Sequence, residues 1–94
     1  MKDGRISLGV EGHSFDKVYD GADHWVAIHE WHPSPMGECG GFVAFDTPEA
    51  RLVTTPQSPK WMIKNWDPLS LTPSLLCRRC GNHGFITSGV WEAC

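Results

Sequence analysis

Short apolar runs separated by turn residues dominate this chain, and their pattern predicts strands rather than helices. In the clearest run, residues 24–31, bulky apolar side chains alternate so that both faces of an extended strand are partly apolar. Shorter runs of the same kind predict strands at residues 5–8, 42–45, 51–54 and 61–64. These runs favour a small antiparallel meander.

Turn-forming residues mark the breaks between these strands. Two prolines and three glycines within residues 32–41 predict a loop, which places Cys39 in a glycine turn. Thr47 followed by Pro48 is typical of a helix start, and it predicts one helical turn over residues 47–50. The sequence around Ser88-Gly89 predicts a terminal hairpin of residues 85–87 and 90–92.

Composition supports one small β-rich fold. The chain has 94 residues, with seven prolines and ten glycines spread along its length, so long helices are disfavoured. We expect a single, mainly antiparallel β domain over residues 1–94 with little helix, either zinc-ribbon-like or a zinc-stapled meander. Residues 1–23 form a poorly determined N-terminal segment in this prediction, and residues 77–94 form a zinc knuckle and the terminal hairpin.

The densest candidate chemistry lies near the C-terminal end. Cys77 and Cys80 are separated by two residues and are followed by Gly81, a spacing that points both sulfurs at one ion. His83 lies three residues further on and extends the motif to Cys-x-x-Cys-x-x-His. A redox pair usually opens a helix, which Gly81 and Gly84 discourage. The thiol and imidazole set favours zinc as the cofactor.

A structural zinc site needs a fourth ligand, and the sequence leaves several candidates. Cys39 is preferred, because a ligand from the first half of the chain would tie the two halves together. Cys94 is the alternative, since a hairpin can return its last residue to the knuckle. The histidines at positions 24, 29 and 32 remain further candidates.

Net charge and hydropathy argue against some classes of function. The formal net charge of −3 argues against nucleic-acid partners. No apolar run reaches the ~18 residues of a membrane span, and the first residues lead into no signal-peptide core. These features predict a cytoplasmic protein without a membrane partner. Candidate partner-binding residues are the basic pair Arg78-Arg79 and the aromatic residues Trp31 and Trp66.

Residues 61–94 resemble a family of short uncharacterised proteins of bacteriophages and bacteria. The resemblance lies in Pro68-Leu69-Ser70-Leu71-Thr72-Pro73-Ser74-Leu75-Leu76, in Cys80-Gly81-Asn82-His83-Gly84-Phe85-Ile86, and in Gly89-Val90-Trp91. Cys39-Gly40-Gly41 matches the cysteine-bearing glycine turn of that family. This chain departs from the pattern in having a single cysteine in that turn and an added cysteine at position 77. The resemblance implies a small metal-binding protein, often phage-encoded, and supplies no established activity.

Together these points predict a phage-type accessory protein that acts by binding a host or virion protein. Its zinc would be structural, held by Cys39, Cys77, Cys80 and His83. The protein would lie in the host cytoplasm or on the virion. An enzyme is the less favoured hypothesis: a zinc hydrolase with an open metal site and Glu38 as base. A nucleic-acid-binding zinc ribbon that uses Arg78-Arg79 is a further alternative. The oligomeric state is not predicted.

Overall fold

Strands make up most of the chain, which confirms the prediction of a small β-rich fold with little helix. The computed structural model describes residues 4–94. In chain order the elements are β1 (Ile6–Ser7), β2 (Ser14–Tyr19), β3 (Trp25–Ser34), β4 (Gly37–Phe45), α1 (Pro48–Val53), β5 (Lys60–Trp66), β6 (Leu69–Thr72), β7 (Leu75–Leu76), β8 (His83–Thr87) and β9 (Val90–Ala93).

The strands form two sheets that share a core. Strands β1 to β6 form one sheet in chain order, and β7 to β9 form a second sheet of three strands. Neighbouring strands are antiparallel except β4 and β5, which pair in parallel over two residues after the α1 crossover. Buried apolar side chains from both sheets pack together, among them Leu8, Phe15, Ile28, Phe45, Leu71, Ile86 and Trp91.

Residues 32–41 are a hairpin, so the prediction of a loop is wrong. β3 continues to Ser34 and β4 begins at Gly37, with Pro33 opposite Glu38 in the register. Pro33 is tolerated because it lies beyond Trp31, the last β3 residue that pairs with β2. Its missing N–H therefore removes no ladder hydrogen bond on that side. The longer hairpin carries Cys39 on a strand rather than on a loop.

Residues 51–54 were predicted as a strand, but α1 runs from Pro48 to Val53. The predicted start is correct, since the Thr47 hydroxyl accepts the Ala50 N–H at 3.2 Å and Pro48 opens the helix. Leu52 and Val53 lie on the exposed side, and Ala50 supplies the buried contact. The predicted strand therefore rested on two apolar residues that are exposed on the helix.

The segment predicted to be poorly determined contains two strands in its described part. β1 contains residues 6 and 7 of the strand predicted at 5–8, whereas β2 was missed. In β2 the buried Phe15 lies opposite Glu30 of β3. The predicted strands at 42–45 and 61–64 fall within β4 and β5, and the predicted terminal hairpin corresponds to β8 and β9. Within residues 4–94, no helix has the length and apolar character needed to cross a bilayer.

Candidate functional site

Four side chains from two distant parts of the chain form a cluster with metal-ligand chemistry. The cluster consists of His32, Cys39, Cys77 and Cys80, whose ligand atoms all lie within 4.8 Å of one another. His32 Nε2 is 3.1 Å from Cys80 Sγ, and the Sγ atoms of Cys39 and Cys77 are 3.5 Å apart. The cysteines are partly buried and His32 is fully buried. We call this group the Cys3His cluster.

The β3–β4 hairpin supplies one half of the Cys3His cluster. His32 and Cys39 are directly opposite in the antiparallel register, so their side chains leave the same face of the sheet. This face is the buried one, because Ile28 and Val43, which are another such pair, both belong to the core. The register alone therefore aims one imidazole and one thiol at the same point.

The turn after β7 supplies the other half. The Gly81 N–H donates to the carbonyl oxygen of Cys77 at 2.7 Å, and Gly81 adopts a φ of +79° that favours glycine. Burial opposes ionisation of Cys77, but hydrogen bonds from the backbone N–H groups of Cys80 and Arg79 lower the pKa of its thiol to about 6. The hydrogen bond with Cys77 raises the pKa of the Cys39 thiol. The turn thus favours a thiolate at Cys77.

A buried carboxylate orients the histidine of the cluster. His32 Nδ1 donates to the two oxygens of Glu30 at 2.8 and 3.0 Å, and both residues are buried. Burial raises the pKa of Glu30, and its hydrogen bond with His32 opposes that rise. With the proton on Nδ1, Nε2 keeps a lone pair directed at the Cys3His cluster. This carboxylate–histidine arrangement is common around protein metal ions.

The Cys3His cluster can hold a metal ion. In a tetrahedral site with metal–sulfur bonds of about 2.3 Å, neighbouring ligand atoms lie about 3.8 Å apart. In the cluster, the two shortest named contacts between ligand atoms, 3.1 and 3.5 Å, are below that value. The upper limit of 4.8 Å on the other separations is above it. The donor set, three thiols and one imidazole, matches a known type of closed structural site.

His83, predicted as a ligand, lies outside this cluster and contacts Ser74 instead. His83 Nε2 and Ser74 Oγ are 2.7 Å apart. His83 is exposed and Ser74 is half-buried, so solvent reaches this pair. Among residues 4–94, no carboxylate forms a hydrogen bond with His83 Nδ1. The arrangement is a serine–histidine dyad.

The register of the second sheet explains this contact. β7 pairs with β8 so that Leu76 lies opposite His83, and Ser74 immediately precedes β7. Residues two apart along an extended chain share a face, so Ser74 lies on the same side as Leu76 and is a diagonal neighbour of His83. The indole N–H of Trp61 donates to the carbonyl oxygen of Ser74 at 3.2 Å and fixes its backbone.

The other candidate ligands lie elsewhere. Cys94 is exposed at the end of the terminal hairpin and is not part of the Cys3His cluster. His24 forms a 2.9 Å contact with Asp20, and His29 packs edge-on against Phe42 on the exposed face of the sheet. Glu38, the candidate base of an open metal site, instead pairs with Arg5 at 2.7 Å.

The predicted partner-binding residues occupy two environments. Arg78 and Arg79 lie in the turn after β7 and line a groove beside β4. Trp31 donates its indole N–H to Asp16 at 3.0 Å. Trp66 packs against Trp25 and Phe45 with ring centroids 5.3 and 5.6 Å apart. Both tryptophans thus make contacts within the protein.

Sequence reasoning did not give Ser74 a role and did not favour His32 as a ligand. The Pro73-Ser74 segment ahead of the histidine motif was noticed only as part of a resemblance. A hairpin prediction that included residues 75–76 and 83–84 would have placed Ser74 beside His83. For His32, a strand prediction that continued past residue 31 would have placed it on the same face as Glu30.

Comparison with known protein families gives a match that covers most of the chain. A family model described as bacterial ubiquitination-like system serine protease (BubE) matches residues 16–94. Comparisons with curated proteins and with solved structures give no significant match. The match contradicts the hypothesis of a phage-type zinc-binding accessory protein that acts through a protein partner, because the family is bacterial and protease-related. The matched range contains Ser74, His83 and the whole Cys3His cluster, and the chain belongs to the BubE family.

Proposed function

We propose that this chain is a serine protease of a bacterial ubiquitination-like system, with Ser74 as nucleophile and His83 as general base. The observation that carries the proposal is the 2.7 Å distance between Ser74 Oγ and His83 Nε2. A serine hydroxyl is a weak nucleophile until a neighbouring base accepts its proton, and this distance is short enough for that transfer. Membership of the BubE family supports the same reaction class.

The dyad lies where a protein substrate can reach it. His83 is exposed, and its neighbours on the same face, Leu76 and Phe85, are 55% and 37% exposed. A macromolecular substrate can cover these apolar side chains and exclude water from the reacting atoms. A small substrate would leave them in contact with solvent. The setting therefore favours cleavage of a peptide bond in a protein.

The reaction follows the acyl-enzyme route. Ser74 Oγ bonds to the carbonyl carbon of the peptide bond while His83 Nε2 accepts its proton. The carbon–nitrogen bond then breaks, and His83 returns that proton to the leaving nitrogen. A water molecule, deprotonated by His83, attacks the resulting ester, and the carbon–Oγ bond breaks to release the acid and regenerate Ser74. Each proton that His83 accepts is donated again within the cycle.

We further propose that the Cys3His cluster holds a structural zinc ion. Three thiols and an imidazole oriented by a buried carboxylate are ligands that suit zinc and leave no open coordination position. The ion would connect the β3–β4 hairpin to the turn that follows β7. Ser74 precedes β7 directly, so this connection would hold the nucleophile opposite His83. No reaction step requires the metal.

A fluorophosphonate probe tests the dyad, because it bonds covalently to an activated serine with loss of fluoride and needs no knowledge of the substrate. We expect labelling of the wild-type protein and mass-spectrometric assignment of the adduct to Ser74. Ser74→Ala should abolish the labelling. Ser70→Ala is the matched control, since the Ser70 hydroxyl accepts the Ser88 N–H at 2.7 Å and lies away from the dyad contact. Labelling of a different serine, or equal labelling of Ser74→Ala, would contradict the proposal.

A further inference from the structure

We infer that an extended polypeptide segment with an acidic side chain binds in a groove between β4 and β7, as an added strand. This inference rests on the proposed protease function and identifies the class of substrate segment and where it lies. The groove has a volume of about 310 Å³. Gly41 and Phe42 of β4 line one side of it, and Leu75 and Leu76 of β7 line the other.

The first observation is an unpaired strand edge on β4. β4 pairs with β3 from Gly37 to Ala44, but it pairs with β5 only at Ala44 and Phe45. The Asp46 N–H donates to the Trp61 carbonyl oxygen at 2.7 Å, so even-numbered residues point their backbone groups toward β5. By the same alternation, Gly40 and Phe42 point theirs toward the part of this edge that pairs with no strand among residues 4–94.

The second observation is an unpaired edge on β7. Leu75 pairs with Gly84 of β8, and the Cys77 N–H donates to the Asn82 carbonyl oxygen at 2.8 Å. Residues 75 and 77 therefore direct their backbone groups toward β8, and Leu76 directs its groups to the opposite side. β7 is the edge strand of its sheet on that side. Two strand edges thus border one groove.

An extended polypeptide satisfies such edges better than other ligands do. Its alternating N–H and C=O groups can pair with Leu76 on one side and with Phe42 on the other. Exposed edges with free donors and acceptors are the usual sites of strand addition. A segment paired with Leu76 lies beside Ser74, the residue immediately before β7, where the Trp61 indole already occupies the Ser74 carbonyl oxygen. The same pairing that binds the segment therefore brings a peptide bond to the nucleophile.

The groove has room for substrate side chains because of Gly41. A Cβ atom added at Gly41 would meet no atom within 4 Å, whereas one added at Gly40 would lie 2.6 Å from the Trp31 ring. Gly40 is therefore required by packing, and the space at Gly41 belongs to the groove. Trp61, Leu75 and Leu76 provide apolar lining around this space. A side chain of the bound segment can occupy it.

Charge indicates the acidic side chain. Arg78 and Arg79 both line the groove, and the Arg79 guanidinium donates to the Gly40 carbonyl oxygen at 3.4 Å. Within residues 4–94, no carboxylate lies within ion-pair distance of either arginine. Glu30 also lines the groove, but its carboxylate is buried and bonded to His32. An Asp or Glu of the bound segment would neutralise the two arginines.

The test compares peptide cleavage with fluorophosphonate labelling in the same preparations. The cleavage probe is a proteome-derived peptide library, with the cleaved bonds identified by mass spectrometry. Gly41→Val places a branched side chain in the groove, and we expect about a tenfold loss of peptide cleavage with labelling of Ser74 retained. Gly21→Val is the matched control, because a Cβ at this turn glycine also meets no atom within 4 Å. It should cleave as the wild type does.

The cleavage profile tests the acidic preference. Wild-type protein should favour peptides with Asp or Glu at a fixed distance from the cleaved bond, and Arg78→Gln should reduce this preference about tenfold. Should Gly41→Val melt at a lower temperature or lose labelling, the Arg78→Gln profile decides the question. The inference would be overturned if a wild-type preparation whose Ser74 can be labelled cleaves no peptide, or cleaves peptides without an acidic preference. Absence of wild-type labelling would instead overturn the proposed function, and the inference would fall with it.

Discussion

The Cys3His cluster and the serine–histidine dyad are attached to opposite ends of β7 and differ in almost every physical respect. The cluster joins residues 38 and 48 positions apart in the chain, and its histidine is buried against Glu30. The dyad joins residues nine positions apart within one small sheet, and its histidine is exposed. A buried set that links distant segments suits a structural role, whereas an exposed and locally built pair suits chemistry on a substrate.

This comparison predicts that His83 can be removed without loss of the metal. We expect His83→Gln to reduce the rate of fluorophosphonate labelling at Ser74 by about 10⁴-fold, because the serine loses its base. The metal-to-protein ratio, measured by elemental analysis, should stay at the wild-type value. A matched variant of another exposed histidine, His29→Gln, should change neither quantity. Loss of metal in His83→Gln would restore His83 as a ligand and remove the distinction between the two sites.

Removal of the metal should affect both regions together. Structural zinc contributes on the order of 10 kcal/mol in small domains, which is comparable to the whole stability of a domain of this size. We expect chelation, or Cys80→Ala, to unfold the β3–β4 hairpin and the turn after β7 and so to abolish labelling of Ser74. Circular dichroism and labelling should fall together on chelation and recover together when zinc is added back. A chelated protein that keeps its melting temperature would contradict the structural role.

The difference between the two regions also explains what the sequence could reveal. Only two residues separate Cys77 from Cys80, so local turn geometry brings them together and the motif is recognisable in the sequence. The register of the β3–β4 hairpin places His32 beside Cys39, and tertiary packing brings this pair to Cys77 and Cys80; no local pattern specifies either step. The contact between Ser74 and His83 depends on β7, a strand of only two residues, which is too short to produce a periodic pattern.

The elements of the fold, like the two sites, were predictable where the sequence signal is local. The start of α1 was predictable because Thr47 and Pro48 act on neighbouring backbone groups, as a cap and a first helical residue. Its end was not, because the pattern of Leu52 and Val53 fits a strand equally well and their exposure is decided by the tertiary structure. The β-rich class followed from the spread of prolines and glycines, which limits helix length all along the chain.

Glu30 lies beside the Cys3His cluster, and substituting it tests how the orientation of His32 affects metal binding while all four ligands are kept. Glu30→Gln keeps the side-chain shape but removes the charged acceptor of the His32 N–H. We therefore expect metal affinity to fall about 10- to 100-fold in competition with a chromophoric chelator, without loss of metal at saturation. Glu38→Gln is the matched control, since Glu38 is adjacent to Cys39 but exposed and paired with Arg5. Equal affinities of the two variants would show that the buried carboxylate does not tune the site.

The smallest effect is expected at Cys94, the alternative ligand of the sequence-based prediction. Its thiol is exposed and lies outside the Cys3His cluster, whereas its N–H donates to the His83 carbonyl oxygen at 2.9 Å. Serine keeps that N–H, so Cys94→Ser should leave the metal content unchanged and alter the free energy of unfolding by less than about 0.5 kcal/mol. Cys39→Ser should lose metal under the same conditions. A loss of metal in Cys94→Ser would mean that the Cys94 thiol is a metal ligand. Because the Cys94 backbone is bonded to His83, the metal site and the dyad could then no longer be assigned to separate regions.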